Sequence, residues 1–201
     1  MRVAVFENVI LALTVAGALA ACQSAQEVLA TGEAAESNPG PCPRAFAISD
    51  AARIVEFVPG EDGEMRERFD NVGFTGEISR VRSLCRYYGE RPIEAGLDID
   101  MNFGRGPSAV GDTATYELFV AVTRKNIDVI AKEVMPVTVR FPEGVDIVSV
   151  SERVDEIVIP RANSTTSGEN FEIITGFVVT DSQRAFNADG KRFRVSAGSA
   201  Q

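Results

Sequence analysis

Along residues 97–103 the chain alternates strictly, with Leu97, Ile99, Met101 and Phe103 separated by Asp98, Asp100 and Asn102. A period of two puts one set of side chains on a core and the other in water, the pattern of a half-buried strand. Residues 115–123 carry a different signal. Tyr116 precedes the unbroken run Leu118-Phe119-Val120-Ala121-Val122, which predicts a central strand buried on both faces. Arg124-Lys125-Asn126 ends that run. Residues 127–133 and then Val137, Val139 and Phe141 supply the next strands, with Pro136 and Pro142 as interruptions that a central strand interior would not tolerate. Further strands are expected at 145–150, at 154–159 before Pro160, and at 171–179. Residues 72–88 add one or two more, in which Gly73 and Gly76 mark a bulge or a close backbone approach.

Helical signals are few. Residues 51–57 fit either a short helix capped by Ser49 or Asp50 and burying Ile54 and Phe57, or the first strand. Residues 181–187, following Thr180, predict a short helix that packs Phe186. About eight short strands with no long amphipathic helix between them point to an all-β fold. The expected form is an antiparallel β-sandwich, immunoglobulin-like or fibronectin-like, with one or two short helices.

The N-terminus has its own pattern. Arg2 opens it, an apolar run follows from Val9 to Leu19, and small residues lead to Cys22. From Val9 to Ala21 there are about 13 residues, too few at about 1.5 Å each to cross a hydrocarbon core of about 30 Å. Leu19-Ala20-Ala21-Cys22 has the form of a lipobox, in which the cysteine thiol receives a diacylglycerol and the chain is cut just before it. Glu7 departs from the usual basic start, leaving Arg2 and the initiator amine as the positive charges. Gln23, where an Asp would signal retention in the inner membrane, implies an outer-membrane lipoprotein facing the periplasm. Residues 23–41 are rich in Ala, Glu, Ser and Gly and contain no basic residue, a composition that does not order itself. The expected organisation is a signal peptide at 1–21, the lipidated Cys22 with a disordered acidic tether at 22–41, a sandwich domain at 42–187 and a tail at 188–201.

Composition removes several functions. The 20 Lys and Arg face 29 Asp and Glu, a net charge of −9. Loss of residues 1–21 removes one charge of each sign, Arg2 and Glu7, and leaves that balance unchanged. The sign argues against nucleic acid as a partner. With no histidine, His-based triads and imidazole metal sites are excluded. Once Cys22 is lipidated, Cys42 and Cys85 remain as a pair in an oxidising compartment, and a disulfide between them is expected.

Local motifs yield little chemistry. Asp98-x-Asp100-x-Asn102 begins like a calcium loop, but Phe103 stands where that loop needs Gly and Ala109 where it needs Glu. Gly104-Arg105-Gly106-Pro107-Ser108 reads as a turn, and the residues from Asn163 to Asn170 as a polar loop. Arg86, Tyr87 and Tyr88, beside Cys85, form the densest cationic and aromatic cluster and are the candidate binding surface. Lys191-Arg192-Phe193-Arg194 is a small basic island, read as a frayed end or a last strand.

These features together resemble an uncharacterised family of alphaproteobacterial envelope lipoproteins that combine a lipobox with a two-cysteine β domain. The resemblance runs through Cys42-Pro43-Arg44, Phe57-Val58-Pro59-Gly60, Cys85-Arg86-Tyr87, Phe119-Val120-Ala121-Val122-Thr123, Phe141-Pro142-Glu143-Gly144 and Gly176-Phe177. It covers most of the chain after the lipobox and implies an envelope lipoprotein without supplying catalytic or ligand residues. The expected role is a non-catalytic binding or assembly module. It is held to a membrane by its lipid and in contact with another envelope protein, with no cofactor and no metal. The alternatives are a small hydrolase using paired carboxylates and a carrier of a lipid or small ligand.

Overall fold

The computed structural model describes residues 40–125 and 127–193. The signal segment, Cys22, most of the tether and residues 194–201 of the tail lie outside the described residues. Eight strands and one helix follow in order: β1 (Arg44–Ala47), β2 (Arg53–Phe57), β3 (Val72–Arg86), β4 (Ile93–Arg105), β5 (Thr113–Arg124), β6 (Asp128–Arg140), β7 (Ile147–Ile159), β8 (Phe171–Phe177) and α1 (Asp181–Ala188). They make a two-sheet sandwich. Sheet A has the order β1-β8-β5-β6 and sheet B the order β2-β3-β4-β7. Every pairing is antiparallel except that of β1 with β8. Among the described residues no helix is long and apolar enough to cross a membrane.

The alternation in β4 does what its period dictates. Leu97, Ile99, Met101 and Phe103 are at most 1% exposed and face sheet A. The opposing layer comes from Tyr116, Leu118, Val120 and Val122 of β5 with Ile173 and Phe177 of β8. At the centre Phe103 stacks on Tyr116 across the sheets, with ring centroids 5.1 Å apart, and Phe177 meets both rings edge-on or tilted at about 6 Å. Gly76 is glycine because of that stack: a Cβ there would lie 2.9 Å from the Phe103 ring and 3.0 Å from Ile54.

Several boundaries differ from the sequence reading. Of the two readings of residues 51–57 the strand is the one formed, as β2 over Arg53–Phe57, with 51–52 in the preceding turn. The two expected segments on either side of Pro136 are one strand, β6, because the proline lies on the edge of the sheet. The carbonyl of its partner Glu117 accepts from the Val178 amide just past the end of β8, so at this position β6 directs its backbone groups outward and no ladder donor is lost. The segments 145–150 and 154–159 likewise join in β7, since Ser151, Glu152 and Arg153 continue the alternation. Residues 72–86 form one strand with two irregularities, one toward β4 between Ile78 and Arg80, and one toward β2, where Val55 and Phe57 pair with Thr75 and Val72 and the extra residue falls at Gly73 or Phe74 as the glycine signalled. β1 has only four residues, too short to show a period.

The helix α1 carries a full capping box between Thr180 and Gln183. It buries Phe186 against Phe57 and Phe193, with centroids 5.6 and 5.9 Å away. The fold therefore extends past residue 187 to Phe193, and Lys191-Arg192-Phe193 is an irregular segment and not a last strand. The disulfide Cys42–Cys85 is formed, with Cα atoms 5.6 Å apart, and ties the approach to β1 to the end of β3.

The Tyr116 hydroxyl is buried without a hydrogen-bond partner among the described residues. Burial, followed by the nearby Glu56 carboxylate, pushes its pKa above the usual tyrosine value. An unsatisfied hydroxyl costs about 1–3 kcal/mol. Tyr116→Phe keeps the ring and removes that cost, so it should raise unfolding free energy by about 1 kcal/mol. Equilibrium urea unfolding checks this, and a loss of stability would reveal a partner for the hydroxyl.

Candidate functional site

The two outer sheet faces differ in kind. On sheet B the outward positions form a polar ladder. Arg153 Nε donates to Asp98 at 2.8 Å, Arg80 Nε to Asp100 at 2.7 Å, Ser151 Oγ to Asp100 at 2.6 Å and Ser149 Oγ to Asn102 at 2.8 Å. The Ser151 hydroxyl and then Arg80 hold the Asp100 carboxyl below the usual carboxylate range. Stability contributed by a lowered carboxyl is present at neutral pH and fades as pH falls through its folded value. The Asp98, Asp100 and Asn102 side chains are thus the solvated side of β4, with arginines and serines as their partners.

Sheet A carries an apolar band on its outer face instead. β5 points Tyr116, Leu118, Val120 and Val122 inward, so Phe119 and Ala121 point out. Register places Gly176 and Ile174 of β8 beside them, Phe46 of β1 beside Ile174, and Val134 and Lys132 of β6 on the other side. Val129, opposite Thr123, extends the band toward the β5–β6 turn. The band crosses all four strands. Val134 is 49% exposed and Val129 58%, while Phe46, Phe119 and Ile174 are half-buried. Two cations lie on its rings: Lys132 Nζ is 4.9 Å from the Phe119 centroid and the Arg44 guanidinium 5.0 Å from that of Phe46. Each such contact is worth about 0.5–1 kcal/mol at an exposed site and leaves the ring edges open.

The edge strands β6 and β7, by contrast, are guarded. On β6, Lys132 and the outward-facing Pro136 interrupt the free backbone groups between residues 132 and 136. On β7, Glu152 sits opposite the inward-facing Ile99, and the register shifts between Ala95 and Leu97. An inward charge and a bulge are both devices that discourage a further strand from pairing. Contact through the outer face is left as the less protected route.

The candidate cluster from the sequence divides. Arg86 faces solvent and pairs with Glu94 at 3.2 Å. Tyr88 lies under the Arg91 guanidinium at 4.2 Å. Tyr87 is corrected from a surface residue to an interior one, at 1% exposure, because its hydroxyl has a structural task. It donates to the Pro41 carbonyl at 2.9 Å and accepts from the Gly168 amide at 3.0 Å, pinning the entering chain to the loop before β8. Arg161 stands over its ring at 4.9 Å and donates to the carbonyls of Arg91, Ser164 and Thr166 at 2.7–3.1 Å, and to that of Gly89. This end of the sandwich is a structural clamp. The Gly104–Ser108 turn offers no anion cradle either, since the Gly106 and Ser108 amides donate to the Gly73 and Val72 carbonyls.

Sequence reasoning placed Phe119 and Ala121 on the right strand and gave no role to Phe46, Lys132, Val134 or Ile174. The available signal was one or two apolar outward residues on each of four strands, legible only once their register was known. No known protein-family model and no curated protein matches this chain.

Proposed function

We propose that this chain is a lipid-anchored, periplasm-facing envelope protein that works as a non-catalytic binding or assembly module. It docks another envelope protein on the outer face of sheet A. The apolar band from Phe46 to Val134 carries this reading: an apolar stripe across a whole sheet face, rimmed by polar residues, is a feature of interaction sites. The lipobox Leu19-Ala20-Ala21-Cys22 supplies the membrane address, and Gln23 the outer membrane as its destination. The pairing of β4 with β7 and of β5 with β8 supports an immunoglobulin-type sandwich, in the manner of the B–E and C–F pairs of that fold, with β7 here at the edge of sheet B. β1, parallel to β8, then completes the edge of sheet A.

The test is site-specific photocrosslinking in cells with the full anchored chain. A photoreactive residue at Val134 should capture a discrete partner, and the same residue at Ser151 on the outer face of sheet B should not. Cys22→Ser should reduce the capture by removing the chain from its membrane. Equal products from both positions, or none from Val134, would overturn the assignment of the face.

A further inference from the structure

We propose that a groove on the outer side of sheet B, distinct from the apolar band, binds a small organic anion. The groove encloses about 520 Å³ beside β2, β3 and β4, and the segment after α1 forms one of its walls. That volume is of the size that holds a small-molecule ligand. Arg53, Lys191 and Arg192 line it together with one acid, Glu77. In a chain of net charge −9, Arg53 and Arg192 are the cations of this lining left to draw an anion, because Glu67 and Asp189 offset Lys191.

The three cations are not equivalent. Lys191 is already held by Glu67 at 2.7 Å and Asp189 at 3.3 Å, so it fixes the wall. Arg192 is exposed at the lip and makes no ion pair among the described residues. Arg53 Nε is buried and has no hydrogen-bond partner among the described residues. Buried donors in folded proteins are almost always paired, and a guanidinium facing a groove is suited to a carboxylate, sulfonate or phosphate oxygen. Phe193 and Ile147 add apolar lining, which selects an anion with an apolar body over a bare inorganic ion. The backbone of Arg53 is itself fixed, because Asn187 Nδ2 donates to its carbonyl at 2.8 Å. The donor is thus positioned before any ligand arrives.

Anilinonaphthalene sulfonate, an aromatic sulfonate, is titrated into the complete folded chain and its fluorescence followed. One saturable site per chain is expected. Arg53→Gln and Arg192→Gln should each weaken binding by about tenfold, the loss of one charge-assisted contact. Val134→Glu, on the other sheet, should leave it unchanged, and neutral phenylnaphthylamine should bind at least about tenfold more weakly. Because Arg192 is at the surface, its variant stays informative even if Arg53→Gln fails to fold. Unchanged affinity in both arginine variants, equal loss in Val134→Glu, or binding that appears only after deletion of residues 194–201 would overturn the proposal. The last result would mean that the end of the chain itself occupies the groove.

Discussion

Replacing Phe103 with alanine is expected to lower the unfolding free energy by about 3–5 kcal/mol, among the largest effects of any single substitution in this chain. The ring is 1% exposed and stacks on Tyr116 at an interplanar angle of 14°. It also meets Phe177 at 6.0 Å and fills the space that Gly76 leaves open. Its neighbours belong to strands of both sheets, each fixed by its own ladder, so the walls cannot collapse into the void. Part of the cost is lost transfer energy and part is the cavity. Chemical denaturation of the variant should show a lower midpoint with the same slope. A loss below about 1 kcal/mol would mean that the two sheets do not meet through this ring.

Reduction of Cys42–Cys85 should cost about 4 kcal/mol, from the entropy the unfolded chain regains when a loop with sequence separation 43 is opened. That is a large share of the roughly 5–15 kcal/mol that holds a typical domain together. The loss should be felt first around β1. This strand has four residues, pairs only with β8, and begins two residues after Cys42. The entering chain would then be held by the Tyr87 hydroxyl at the Pro41 carbonyl and the Ser83 hydroxyl at that of Pro43. The melting temperature with and without reductant should differ by about 10 °C or more. A difference below about 3 °C would show that other contacts already order residues 40–47.

Strand β4 was legible because its outward residues are polar, so that one period fixed both its conformation and its buried face. The run in β5 was legible as a strand but not in its surroundings. Leu118, Val120 and Val122 are buried as expected, whereas Phe119 on the opposite face is half-exposed. An apolar outward residue reads the same whether a second layer covers it or a partner does. Pro136 misled for a related reason: its meaning depends on whether its strand is central or at an edge, and strand order is not local information. Tyr87 and Tyr88 are adjacent and alike in sequence, yet one pins a carbonyl inside the fold and the other stacks with Arg91 outside. The disulfide followed by elimination from three cysteines. The groove joins Arg53 to the segment after α1, far away in the chain, and no spacing rule connects them.

The proposed docking surface is the outer face of sheet A. The most direct measurement compares what co-purifies from the solubilised envelope with the native chain and with a Val129→Glu, Val134→Glu double variant. Both valines are about half exposed, so the substitutions place charge in the band with little effect on the fold. The expected result is an unchanged melting temperature and a partner reduced by at least about 30-fold, the effect of losing a central contact worth about 2 kcal/mol or more. Undiminished recovery of the same partner by the stable double variant would contradict it.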